Sequence, residues 1–122
     1  MKKHFILIIE DDAWLAEQQQ RVLTKAGYKV IISPHPIDAI KVIDTTHPDV
    51  IVLDVLLTGS TAFALLHELQ SYVDTGSIPI ILCTNLASEL SLEDLVPYGV
   101  RRILDKTTML PDDVVVAVRS IL

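Results

Sequence analysis

The feature that most constrains this chain is an alternation: short runs rich in Ile and Val recur between segments whose apolar residues follow a helical period. A strand that is apolar without interruption must be buried on both faces, which requires a parallel sheet with helices packed on each side. The expected strands are Phe5 to Ile9, Lys29 to Ile32, Val50 to Leu53, Ile78 to Cys83 and Arg102 to Leu104. Helix one is expected from Ala13 to Ala26, with Leu15, Val22, Leu23 and Ala26 on one face and Gly27 ending it. Helix two carries Pro36, Ala39, Ile40 and Ile43, and His47-Pro48-Asp49 separates it from the third strand. Helix three places Ala62, Leu65, Leu66, Leu69 and Val73 on one stripe. A thin fourth helix lies near Ser91 to Tyr98, limited by Pro97. The fifth, Pro111 to Leu122, opens with Pro and two acids and is expected to bury Val114, Val115, Val118 and Leu122.

A chain of 122 residues, half of them apolar, suffices for one ordinary core, so a single domain over residues 1–122 with no output domain in the chain is expected. The net charge of −6 and the absence of a basic stripe argue against nucleic-acid binding. The lone Cys83 cannot form an internal disulfide and suits a reduced, cytoplasmic protein. The apolar run after Met1-Lys2-Lys3-His4 is too short for a signal peptide and ends at Glu10-Asp11-Asp12. No stretch approaches the ~20 apolar residues of a membrane-spanning helix. His4, His35, His47 and His67 lack ligand spacing and read as surface or loop residues.

Right-handed crossovers bring the carboxyl ends of parallel strands to one edge, where ligand sites form. Glu10-Asp11-Asp12 follow the first strand, Asp54 the third, Thr84-Asn85 the fourth and Asp105-Lys106 the fifth; the second ends in Ser33-Pro34 with nothing comparable. Crowded carboxylates repel one another unless a hard cation neutralises them, and an all-oxygen site with water access suits Mg²⁺. Lys106 can offset phosphoryl charge, Thr84 can donate a hydroxyl, and Asp54 can act as a nucleophile giving an acyl phosphate. Asp12, by contrast, reads first as a helix cap.

Leu7-Ile8-Ile9-Glu10-Asp11-Asp12, Val52-Leu53-Asp54, Cys83-Thr84 and Leu104-Asp105-Lys106, in this order and at these intervals, resemble the receiver domain of bacterial response regulators over essentially the whole chain. The resemblance implies a flavodoxin-like (βα)5 fold, doubly wound, with strand order 2-1-3-4-5. It implies Asp54 as phosphoacceptor, Mg²⁺ held by Asp11, Asp54, the Leu56 backbone carbonyl and, through water, Glu10, and phosphoryl oxygens held by Thr84 and Lys106. The partner would be a sensor histidine kinase or a histidine phosphotransfer protein, docking near helix one, where Trp14, Leu15 and Gln18 are candidate recognition residues. Packing of Trp14 over the loop after strand five is the competing local reading. The activity implied is self-phosphorylation from a phosphodonor and slow loss of the group, rather than turnover of a separate substrate. A phosphorylation-linked homodimer through the fourth helix, fifth strand and fifth helix is compatible with the resemblance.

The chain departs from the family at several places. Ile103 stands where the family has a switch aromatic, so ring rotation cannot report the state of Thr84. Thr107 follows the lysine where proline, with a cis bond, is usual; a non-proline cis bond costs ~2.5–4 kcal/mol, so a trans bond and a differently shaped loop are expected. Leu56 cannot position an attacking water, which points to slow dephosphorylation. Thr58-Gly59-Ser60-Thr61-Ala62 keeps only the first glycine of the usual turns. A flavin site would want a Ser-, Thr- and Gly-rich loop where three acids stand, and an aspartate-type phosphatase would want a second acid at Leu56. The serious rival is a receiver-like interaction module that works without phosphorylation.

Overall fold

The computed structural model describes residues 3–54, 66–71 and 78–122. Five parallel strands, β1 (Phe5–Ile9), β2 (Lys29–Ser33), β3 (Val50–Asp54), β4 (Ile80–Thr84) and β5 (Val100–Asp105), form one sheet in the order 2-1-3-4-5. The helices are α1 (Ala13–Lys25), α2 (Pro36–Thr46), α3 (helical at 66–70), α4 (Leu92–Leu95) and α5 (Pro111–Ile121). This is the doubly wound flavodoxin-like arrangement expected from the alternation of apolar runs.

Two cores flank the sheet. Ile6, Ile8, Val50, Val52, Ile81 and Cys83 pack against Leu23 of α1 and Val114 and Val118 of α5. Leu7, Ile9, Ile51, Leu53, Ile80 and Leu82 pack on the other face against Ala39 and Ile43 of α2, Leu66 and Leu69 of α3, and Leu95 of α4. Successive strand residues point to opposite faces, so each strand feeds both cores.

Several boundaries differ from expectation for identifiable reasons. β4 starts at Ile80 rather than Ile78, because Pro79 has no N–H to give to a ladder. β5 begins at Val100, two residues early, its exposed Arg101 and Arg102 disguising an edge strand. The fourth helix shrinks to Leu92–Leu95, and Pro97 falls in the 3₁₀ turn Val96–Tyr98. α1 ends at Lys25 with Ala26 as its cap, and Gly27 follows at φ +102°, a conformation that favours glycine. Its buried stripe is Ala16, Gln19 and Leu23; the expected Leu15, Val22 and Ala26 are only half-buried. Leu122, expected inside, is exposed, because α5 stops at Ile121 and the last residue leaves the sheet. Ala62, Leu65 and Val73 of the expected third helix lie outside the described residues, as do Leu56 and the segment Thr58-Gly59-Ser60-Thr61-Ala62. No described helix is long and apolar enough to cross a membrane.

Candidate functional site

Register and alternation together place the chemistry. β1 pairs Ile9 with Leu53 of β3, so the next residues, Glu10 and Asp54, stand side by side at the sheet's carboxyl edge. Glu10 continues the parity of Ile6 and Ile8, and Asp54 that of Val50 and Val52, so both turn to the α1/α5 face. Lys106 follows the parity of Leu104 to the same face. Thr84 has the parity of Ile80 and Leu82 and turns to the other one, where Ile103 also packs.

The result is a buried ionic cluster. Lys106 Nζ lies 3.0 Å from Asp54 Oδ1 and 3.1 Å from Glu10 Oε2. Glu10 and Asp54 are each 1% exposed. The Lys106 N–H donates to Thr84 O at 2.9 Å, pinning the start of the loop after β5 to the end of β4. Two buried carboxylates thus share one ammonium, leaving the cluster short of positive charge. Burial, and then the adjoining Asp54, pushes the Glu10 carboxyl up to about 8, against the pull of the Asp12 N–H, which donates to Glu10 Oε1 at 2.9 Å. Burial alone would lower the Lys106 pKa, but the carboxylates of Asp54 and Glu10 outweigh it and hold the ammonium above its ordinary value. Cys83, fully buried, has its thiol pushed well up by burial and stays protonated.

Asp12 caps α1: its Oδ1 accepts the N–H groups of Trp14 at 3.0 Å and Leu15 at 3.2 Å. Asp11 is exposed and lines, with Glu10, Asp12, Asn85, Lys106 and Thr107, an open cavity of about 380 Å³. The Thr84 hydroxyl accepts the Leu86 N–H at 3.0 Å and is not bonded to Asp54 or Lys106. No cis peptide bond occurs among the described residues, so Lys106–Thr107 is trans, as a non-proline residue demands.

The expected metal site meets this geometry in part. Among the described residues no group of three or more His, Cys, Asp or Glu side chains is arranged to hold a metal ion. Leu56 lies outside those residues, and Lys106 reaches both buried acids. The donor set nevertheless fits a hard divalent cation: all oxygens, net negative, buried on one side and open to the Asp11 cavity on the other. One participant was missed from the sequence. Gln19, 5% exposed on α1, donates from Nε2 to Asp54 Oδ2. Trp14, Leu15 and Gln18 line a second cavity of about 220 Å³ with Gln19, Asp54 and Leu110. Trp14 itself is 64% exposed.

The family model of the response regulator receiver domain matches residues 6–119. The transcriptional regulatory protein AfsQ1 of Streptomyces coelicolor is 34% identical over 79 residues, covering 65% of this chain and 34% of that protein. The protein Rrf1 of Nitratidesulfovibrio vulgaris is 27% identical over 95 residues, covering 78% of this chain and 67% of that one. The chain spans about a third of the length of several curated regulators it matches. Among solved structures, a putative response regulator from Chloroflexus aurantiacus is 30% identical with a TM-score of 0.78, covering 98% of each chain. The receiver domain of the sensor histidine kinase PA1611 from Pseudomonas aeruginosa has the same fold, with a TM-score of 0.80, 20% identity and 98% of each chain covered; it carries a magnesium ion in its active-site cleft.

Proposed function

The chain belongs to the response regulator receiver domain family, and from that premise we propose that it takes a phosphoryl group onto Asp54 from a phosphohistidine partner. The observation that carries the reading is the buried Asp54 at the end of β3 with Lys106 Nζ 3.0 Å from its Oδ1. A carboxylate attacking phosphorus needs a fixed cation beside the transferring oxygens and little covalent help. In the transfer, a bond forms between an Asp54 carboxylate oxygen and phosphorus. The bond from phosphorus to the donor breaks, and the donor keeps that electron pair.

Mg²⁺, when bound, would supply the positive charge that the cluster lacks and neutralise developing phosphoryl charge. Asp11, Asp54 and the Leu56 carbonyl would hold it directly and Glu10 through water. Thr84 and Lys106 would receive the phosphoryl oxygens, the Thr84 hydroxyl accepting the Leu86 N–H while its own O–H stays available to donate to the incoming group. Loss of the group would be slow, since Leu56 cannot hold a water. The partner would be a sensor histidine kinase or histidine phosphotransfer protein, met in the cytoplasm, with Trp14, Leu15 and Gln18 at the docking surface. Residues 1–122 would then act as one receiver unit, its response read by whatever binds the surface that changes.

The test is intact mass after incubation with Mg²⁺ and acetyl phosphate, for wild type and Asp54→Asn. A phosphoryl adduct on wild type alone supports the reading. Wild type that stays unmodified, by acetyl phosphate and by a phosphohistidine protein alike, favours the interaction module that works without phosphorylation. The side chain at 103, an isoleucine packed among the α2–α4 core, is the observation that keeps that second reading in play.

A further inference from the structure

Gln19 is the one polar side chain that α1 buries, set between Ala16 and Leu23 on the stripe facing the sheet. Its Nε2 donates to Asp54 Oδ2, while Asp54 Oδ1 faces Lys106. An ionised carboxylate can only accept, so the amide must present its nitrogen, and Gln19 Oε1 is left buried without a hydrogen-bond partner among the described residues. Leu or Met would fill the same place without stranding an acceptor. The chain therefore keeps a costly polar group at this position, and the group it reaches is the reacting carboxylate.

We infer that Gln19 is a positioning residue for the phosphoryl chemistry of Asp54: it holds Oδ2, leaves Oδ1 to react, and makes Asp54 a better leaving group. The inference rests on Asp54 being the phosphoacceptor. In the acyl phosphate Oδ2 is a neutral carbonyl oxygen and a modest acceptor. During hydrolysis a water oxygen bonds to phosphorus and the phosphorus–Oδ1 bond breaks, its electron pair returning to Asp54. The water gives up its proton to the departing inorganic phosphate and solvent. As the pair returns, negative charge spreads to Oδ2, and the bond from Gln19 Nε2 becomes charge-assisted. An interaction that is stronger in the transition state than before it accelerates the step. Gln19 thus shortens the phosphoryl lifetime and lowers the level of phosphorylation that a given donor sustains. It does so from beneath the acceptor, on the α1 side of the sheet.

The experiment charges wild type, Gln19→Met and Gln19→Leu with acetyl phosphate and Mg²⁺, removes the donor, and follows decay of the adduct by intact mass. Decay is recorded with Mg²⁺ and after EDTA, and melting temperatures are taken in parallel. Both variants are expected to hold the phosphoryl group about three- to tenfold longer, with and without EDTA, and to melt at or above the wild-type temperature. Should Leu fold poorly, the unbranched Met carries the comparison. Lifetimes within twofold of wild type overturn the inference and leave Gln19 as a helix-to-sheet contact only. A difference that vanishes with EDTA also overturns it, since the variants would then be disturbing metal binding. Wild type that takes no adduct from acetyl phosphate or from a phosphohistidine protein overturns the phosphoacceptor reading and the inference with it; an adduct with unchanged decay overturns the inference alone.

Discussion

Thr107 gives both its backbone N–H and its hydroxyl to Asp105 Oδ1, at 2.9 and 2.6 Å. This is an Asx turn, and a proline at 107 could supply neither donor. The turn takes the place of the family's lysine–proline corner and steadies the backbone on both sides of Lys106.

The two bonds favour the charged carboxylate and hold Asp105 below its ordinary 3.8. Thr107→Val removes the hydroxyl and keeps the N–H, so the Asp105 pKa should rise toward that value. An acid whose folded pKa is depressed contributes stability above its unfolded value, lost as pH falls through the folded one. The variant should therefore lose stability at neutral pH and match wild type in strong acid. A carbon-13 carboxylate titration by NMR, with urea unfolding at both pH values, checks this; an Asp105 titration unmoved by the substitution would show the hydroxyl bond to be idle.

Glu10→Gln should stabilise the metal-free protein. The cluster carries one carboxylate too many, and the Glu10 carboxyl is pushed up to about 8, so in the folded chain it holds a proton that the unfolded chain has released. Stability from a raised acid is full below the unfolded value, 4.5, and is lost as pH rises through about 8. Wild type should lose stability across that window while the Glu10→Gln variant does not, and the variant should lead by about 1–3 kcal/mol at its upper end. Urea unfolding across that pH range measures the gap. Added Mg²⁺ should close it by stabilising wild type; a gap indifferent to pH would contradict the charge argument.

The packing of α1 and α5 sets a contrast independent of the chemistry. Leu23 is fully buried against the sheet, whereas Val116 on α5 is 64% exposed. Leu23→Ala should cost about 2–5 kcal/mol through lost burial and a residual cavity. Val116→Ala should stay within about 0.5 kcal/mol. Chemical denaturation of both variants tests the orientation of the two helices, and comparable losses would mean that one of them is rotated from the arrangement described.

Most of the fold was legible because buried parallel strands advertise themselves. Ile51, Val52 and Leu53 have no polar face to hide, and their ends locate Asp54 without further information. Edge strands lack that signal: β5 has water over Arg101 and Arg102, so its first residues read as loop. Gln19 was missed for a different reason. Gln18, Gln19 and Gln20 are alike in sequence, and composition gives no ground for burying any of them. The available clue was spacing, since position 19 lies three after Ala16 and four before Leu23, the interval of a single helical stripe. Thr84 does close β4 as expected, but its side was not read, although strand alternation from Leu82 would have indicated the face opposite Asp54.

Substituting Trp14 should separate docking from chemistry. It is 64% exposed at the rim of the cavity that reaches Asp54 and Lys106, with the 66% exposed Leu110 across from it. Large exposed apolar side chains beside a reactive group are suited to a partner that must approach closely, and aromatic anchors of this kind carry a disproportionate share of binding energy. Acetyl phosphate is too small to need them. Trp14→Ala should therefore leave phosphorylation by acetyl phosphate within about twofold of wild type and change stability by less than about 0.5 kcal/mol. Transfer from a phosphohistidine protein should slow about tenfold or more, through weaker association rather than a slower bound-state step. Stopped-flow transfer at increasing partner concentration distinguishes the two, because a docking defect is overcome at saturation. Equal slowing with both donors would instead make Trp14 part of the packing around the site, seated over the loop after β5.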